Sequence, residues 1–153
     1  MNVYFIQNGR GDVFIEVDRL PPSANQMYTV VGGRKILSPE ARSYKSRLKI
    51  GLAQEMLDYA PLGKEDAFRL QIDICMPNVL NKGYPKAAKT KFRKIDVSNR
   101  VKLVEDTICE ALDIDDSQIV SLEVTKWHGE SYIYLKLEKT LVKYRAPTAQ
   151  AKS

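Results

Sequence analysis

Asp96 stands directly after a basic run, and Ser98, Asn99 and Lys102 follow it at helical spacing in KIDVSNRVK. Asp106 comes four residues after the lysine. A second acidic group, Asp113, Asp115 and Asp116, lies in ALDIDDSQIV. Carboxylates gathered in one place repel each other unless a cation lies between them. Oxygen-only ligands select Mg2+ or Mn2+, which keep several waters and bind phosphate oxygens. Such a centre makes a hydroxide nucleophile and stabilises a leaving oxygen, so it needs no histidine base. Each group also has a plainer reading. Asp96 can start a helix, where backbone N–H groups favour negative charge. Asp115 and Asp116 can belong to a polar turn. Lys102 and Asp106 can form a solvated i,i+4 pair.

Other chemistries find little support. The one histidine, His128, falls in an expected turn, and Gly32-Gly33 lacks the lysine and Ser/Thr of a phosphate-binding loop. Counting a calcium loop from Asp113 puts Gln118 where glycine belongs and Val124 where glutamate belongs. Cys75 and Cys109 are too few for a disulfide framework and lack metal-ligand spacing. They are expected to be small core residues in a reducing cytoplasm.

The elements that must position these groups are legible in the patterning. FRLQIDICM alternates, with Phe68, Leu70, Ile72, Ile74 and Met76 on one face of a half-buried strand. VYFIQ and VFIEV are expected to pair across NGRGD. IVSLEVTKW and SYIYLKLEK suggest a hairpin turning at His128-Gly129-Glu130. Ser38-Pro39 predicts a capped helix start, followed by a stripe of Tyr44, Leu48, Leu52, Met56 and Tyr59. A second helix follows Asp96, with Ser98 as its expected cap. Val101, Val104, Ile108, Ala111 and Leu112 form its buried face. Asn99, Lys102, Asp106 and Glu110 lie opposite. The expected fold is α+β, two main helices on a mixed, mostly antiparallel sheet. If the strands flanking the second helix are neighbours, the returning chain brings Asp96 to Asp115 and Asp116.

With 153 residues and 44% apolar composition the chain can bury one core, expected over residues 1–140. The basic tail 141–153 is expected to be disordered. No segment is apolar for long enough to cross a membrane, and MNVYFIQNGRGD lacks the order of a signal peptide. The net charge is +5, and its placement is uneven. No acidic residue occurs between Asp73 and Asp96, while Lys82, Lys86, Lys89, Lys91, Arg93 and Lys94 do. One loop, PNVLNKGYPKAAKTKFRK, therefore holds the whole excess, and nucleic-acid phosphate is its expected partner. A basic scaffold for a protein partner is the weaker alternative.

Several of these pieces together resemble the RusA family of Holliday junction resolvases of bacteria and their phages. LPPSANQMY supplies the proline pair, Asn25 and Tyr28, and ILSPEARSYK a serine-led helix start. Asp96, Asn99 and Lys102 follow in D-x-x-N-x-x-K, then Asp106, and DIDDSQI supplies Asp115, Asp116 and Gln118 before a strand ending in Lys-Trp. The resemblance covers about residues 15 to 139. It implies a homodimeric, Mg2+-dependent, cytoplasmic endonuclease that nicks opposed strands of four-way DNA junctions. It carries catalytic aspartates onto Asp96 and Asp116, with Asp115 as companion ligand, and a phosphate-contacting lysine onto Lys102. Asn25 and Tyr28 would line the DNA surface, or Asn25 would merely satisfy backbone after Pro21-Pro22. The sequence departs from the family at Ser98, where an aspartate is usual. A neutral hydroxyl there is a weaker ligand, which leaves a junction- or single-strand-binding protein without cleavage as the competing reading.

Overall fold

The computed structural model describes residues 1–147. Its main sheet contains β1 (Val3–Gln7), β2 (Val13–Val17), β5 (Ala67–Met76), β6 (Ile119–His128) and β7 (Tyr132–Thr140), in the order β1-β2-β7-β5-β6. Only β5 and β6 run parallel, and the other neighbours are antiparallel. A separate hairpin is formed by β3 (Tyr28–Val31) and β4 (Arg34–Leu37). Its two-residue turn is Gly32-Gly33, at φ 56° and 75°, a backbone that glycine adopts without a Cβ clash. With helices α1 (Pro39–Glu55) and α2 (Ser98–Leu112), this is the expected α+β architecture.

Alternation places one face of the sheet in the core. Val13, Ile15 and Val17 of β2, Phe68 to Met76 at every second position of β5, and Ile133, Leu135 and Leu137 of β7 are all buried. The helices cover this face, α1 touching both β1 and α2. Each Leu or Ile withdrawn here contributes roughly 1.5–3 kcal/mol of transfer free energy, which outweighs the exposed ion pairs at about 0–1 kcal/mol each. The opposite face is polar, with Arg69 paired to Glu123 and Lys136 to Glu138.

α1 starts as its sequence predicts. Ser38, 2% exposed, accepts from the Ala41 N–H at 3.1 Å, and its hydroxyl donates to the Gln26 carbonyl at 2.5 Å. Tyr44, Leu48 and Leu52 are buried. Met56 and Tyr59 lie beyond the helical segment and still pack against the core. On α2 the buried face is wider than the expected stripe, adding Leu103, Thr107 and Cys109, while Ala111 is half-buried. Both cysteines are buried and free.

The expected hairpin between β6 and β7 does not form. Both strands exist, but β5 lies between them and pairs with each. Residues 129–131 pass over the end of β5, where the Gly129 N–H donates to the Met76 carbonyl at 3.0 Å. A Cβ on Gly129 would come within 2.9 Å of Cys75 Sγ, so glycine is what lets the chain pass this closely. The physical reason is burial: β5 carries six buried residues, more than any other strand, and a central place with a neighbour on both sides covers it.

No helix among the described residues is long and apolar enough to cross a membrane. The expected tail falls partly on residues 148–153, which lie outside the described residues. Residues 141–147 carry no helix or strand, and Leu141, Val142 and Tyr144 are exposed.

Ser38→Ala removes the cap and strands the Gln26 carbonyl. Urea unfolding should show a loss of about 0.5–2 kcal/mol, and an unchanged midpoint would mean that the cap carries no stability.

Candidate nucleic-acid interface and acidic centre

The basic loop is a tethered hairpin. Leu80 and Phe92 form a bridge, the Asn81 N–H donates to the Lys91 carbonyl at 2.8 Å, and the Arg93 N–H donates to the Val79 carbonyl at 2.9 Å. Lys82, Lys86, Lys89, Lys91, Arg93 and Lys94 are all exposed. Among the described residues none of them pairs with a carboxylate. Two aromatic side chains, Tyr84 and Phe92, are exposed among these cations. Sequence reasoning passed over both, although KTKFRK held the signal of an aromatic ring between basic residues that suits stacked bases.

Where this hairpin rejoins the sheet, a cleft of about 620 Å³ opens. Its walls include Arg93, Lys94 and Asp96 from the end of the loop, Arg100 from α2, and Asn25 from the 3-10 turn Ala24–Gln26. Asn25 and Asp96, 71 positions apart in sequence (96 − 25), thus share one cleft. Tyr28 is not in its wall. It lies at the base of the β3–β4 hairpin with Lys35 Nζ 4.4 Å above its ring.

Asp96 opens α2 from two residues ahead of it. Its Oδ1 accepts from the Ser98 N–H at 2.9 Å, whereas the residue between them, Val97, makes no side-chain cap. The expected capping role of Ser98 is therefore performed by Asp96, and Ser98 is simply the exposed first residue of the helix. The Ser98 N–H, and then its hydroxyl, hold the Asp96 carboxyl below its ordinary value. The stability this bond contributes is present above the unfolded carboxyl value and lost as pH falls through the depressed one. Asn99 beside it is half-buried.

Further along α2 the acidic groups gather on a lysine. Lys102 Nζ lies 2.8 Å from Asp106 Oδ1 and 3.3 Å from Asp116 Oδ2. Asp106, and then Asp116, push its ammonium above the ordinary lysine value. Glu105, which sequence reasoning did not single out, joins them. Burial raises its carboxyl, Lys102 opposes the shift, and Asp106 and Asp116 add to it. Its only signal was its place next to Asp106. Burial, with Glu105 and Asp116 nearby, pushes the Cys109 thiol up to about 12, so it stays protonated and is no nucleophile.

Asp115 faces its own turn. It caps the 3-10 turn Asp116–Gln118 by accepting from the Ser117 N–H at 2.9 Å. Gln118 completes the cap by accepting from the Asp115 N–H at 3.0 Å, and its amide ties the turn to the Gly63 and Asp66 carbonyls.

The expected meeting of Asp96 with Asp115 and Asp116 is not found. Asp96 serves the cleft and the helix start, Asp115 its own turn, and Asp116 the lysine. Among the described residues no three His, Cys, Asp or Glu side chains gather to hold a metal ion. As placed in this chain, the three aspartates do not fit one shared cation.

Lys102 should titrate above an ordinary lysine by NMR of its Nζ or Cε, and Asp106→Asn should bring it down. A group with a raised folded value stabilises below its unfolded value and loses that contribution as pH rises through the raised one. The wild-type benefit should therefore be complete at neutral pH and vanish only in strong alkali. Identical titrations in both proteins would dissolve this cluster.

No curated protein matches the chain. Residues 19–138 match the family described as Endodeoxyribonuclease RusA. That span holds the basic hairpin, the cleft, the acidic centre and all of α2. The chain belongs to the RusA family of endodeoxyribonucleases.

Proposed function

We propose that this chain is a structure-specific endodeoxyribonuclease that resolves four-way DNA junctions by paired nicks, in recombination and repair. What carries the proposal is the cleft in which the Asp96 carboxylate opens beside Arg93 and Lys94, at the foot of an unpaired basic hairpin. Backbone phosphates held by Lys82, Lys86, Lys89 and Lys91 would run from the hairpin toward Asp96. Lys102, positioned by Asp106 and Asp116, would offset charge developing on the cleaved phosphate. Asn25 would contact the strand in the cleft, and Tyr28 would lie farther out on the same surface. The nuclease domain is assigned to residues 1–140 and acts in the cytoplasm of a bacterial or phage-infected cell.

A requirement for Mg2+, with Mn2+ as substitute, belongs to the proposal on donor chemistry, since hard carboxylate oxygens are the donors at hand. Asp96 is not grouped with Asp115 and Asp116 among the described residues, so no step is assigned to the ion. A homodimer belongs to it as well. β6 is a ten-residue edge strand carrying exposed Val120, Leu122 and Trp127, the kind of edge that proteins rarely leave uncovered.

Purified protein should nick a synthetic four-way junction in Mg2+ and stop when the cation is chelated. Asp116→Asn should abolish nicking yet leave junction binding intact or tighter, because a charge that repels phosphate is removed. Tight binding by wild type with no cleavage in any divalent cation would favour the junction-binding reading instead.

The hairpin makes a separate quantitative claim. Phosphate contacts release counterions, at a slope of roughly −0.9 in log K against log salt per contact on duplex DNA. Replacing Lys89 and Lys91 with Ala should flatten the slope by about 1.8 and weaken binding to junctions of any sequence. A slope equal to wild type would place the DNA elsewhere.

A further inference from the structure

Arg100 was not marked by any sequence motif, yet it occupies the wall of the cleft that holds Asp96. Its guanidinium is half-buried, and its Nε donates to the Pro22 carbonyl at 3.3 Å while Nη1 reaches Met76 Sδ at 3.2 Å. A guanidinium carries five N–H groups, so three of them have no protein partner among these bonds. Nor does it have a carboxylate: among the described residues no acidic group lies within ion-pair distance of Arg100. Burial accordingly holds it below the ordinary arginine value, with only Tyr44 opposing the shift.

A tie between a carbonyl and a thioether can be made by a neutral amide. Placing a cation there instead costs desolvation that nothing in the protein offsets. Arg93 and Lys94 line the same cleft, against the single carboxylate of Asp96. Three cations and one anion leave the cleft short of negative charge, and Arg100 is the cation whose position is fixed from two sides. A guanidinium held in this way presents a planar fork that matches two oxygens of a phosphate.

We propose that Arg100 is the anchor of a phosphate-binding subsite, holding the non-bridging oxygens of one DNA phosphodiester beside Asp96 with Arg93 and Lys94. The ligand is a single backbone phosphate of the bound strand. The inference rests on the nuclease reading and adds to it a positioning residue. Arg100 fixes the strand in the cleft so that the neighbouring phosphodiester is presented to the acidic residues. The flexible cations of the hairpin hold the DNA, and Arg100 sets its register.

The test is a scan of four-way junctions carrying one neutral methylphosphonate at a time, bound to wild type and to Arg100→Gln. Wild type should lose about tenfold in affinity at one position near the crossover, and the variant should lose less than twofold there. The variant's salt slope should be smaller by about 0.9, and Arg100→Lys, which keeps the charge, should recover that slope. A purely structural tie would change neither the single-position profile nor the slope. If Arg100→Gln does not fold, the wild-type Arg100 Nε resonance decides. It should shift on addition of the dinucleotide dTpdT, and silence while other cleft resonances saturate overturns the proposal. Wild type that binds no DNA would sink the nuclease reading itself. Wild type that binds DNA, with an unchanged profile and slope in the variant, would sink only the role of Arg100.

Discussion

A parallel pair of strands cannot be joined by a tight turn, because the second strand must begin at the end where the first began. The pairing of β5 with β6 therefore obliges the chain to leave the sheet at Met76 and travel its whole length before returning at Ile119. Most of the functional residues lie on that excursion. The basic hairpin occupies its first half, α2 its second, and the acidic 3-10 turn its last residues. The core face of α2 secures the crossover, leaving Lys102 and Glu110 exposed on the other side. Lys45 and Lys49 of α1 grip Glu110 from the neighbouring helix. Fold and site are two descriptions of one connection.

Local chemistry made the sequence legible where it alone decides structure. The Ser38-Pro39 start of α1, the alternation of β5 and the apolar face of α2 each follow from neighbours a few positions apart. Misreadings arise where distant groups decide. β6 and β7 look like a hairpin because a turn joins them, and only the burial demand of β5, some fifty residues earlier, separates them. At the start of α2 two good capping residues stand two positions apart, and sequence favoured Ser98 where the structure uses Asp96. The carboxylate groups were expected to meet because the chain returns. Asp116 does come back along most of α2, to Lys102 in its second turn, but there it pairs with the lysine, and no three carboxylates gather among the described residues. Arg100 left no pattern at all and Glu105 only its place beside Asp106, since their half-burial is created by tertiary packing.

Charge is divided rather than dispersed. Among the described residues, positive groups without a carboxylate partner occupy the hairpin and cleft, while the carboxylates of the acidic centre are held around one lysine. The hairpin is also pre-shaped by its two backbone bonds and the Leu80–Phe92 bridge. Order established before binding is entropy that binding need not spend, so a tethered basic loop engages a polyanion with less loss than a floppy one. At the same time its unpaired cations repel one another, and the loop tolerates that strain because all of them face water.

The position of β7 has a consequence for how the protein is made. This last strand is inserted between β2 and β5, so the N-terminal strands have no connection to the rest of the sheet until it arrives. A nascent chain complete through β6 still exposes one edge of β5 and one edge of β2, both apolar, with nothing to zip them together. Completion of the sheet is thus postponed until β7 itself has been made. Newly made chains pass through an interval in which unpaired sticky edges invite aggregation or a chaperone. The sheet locks late and all at once.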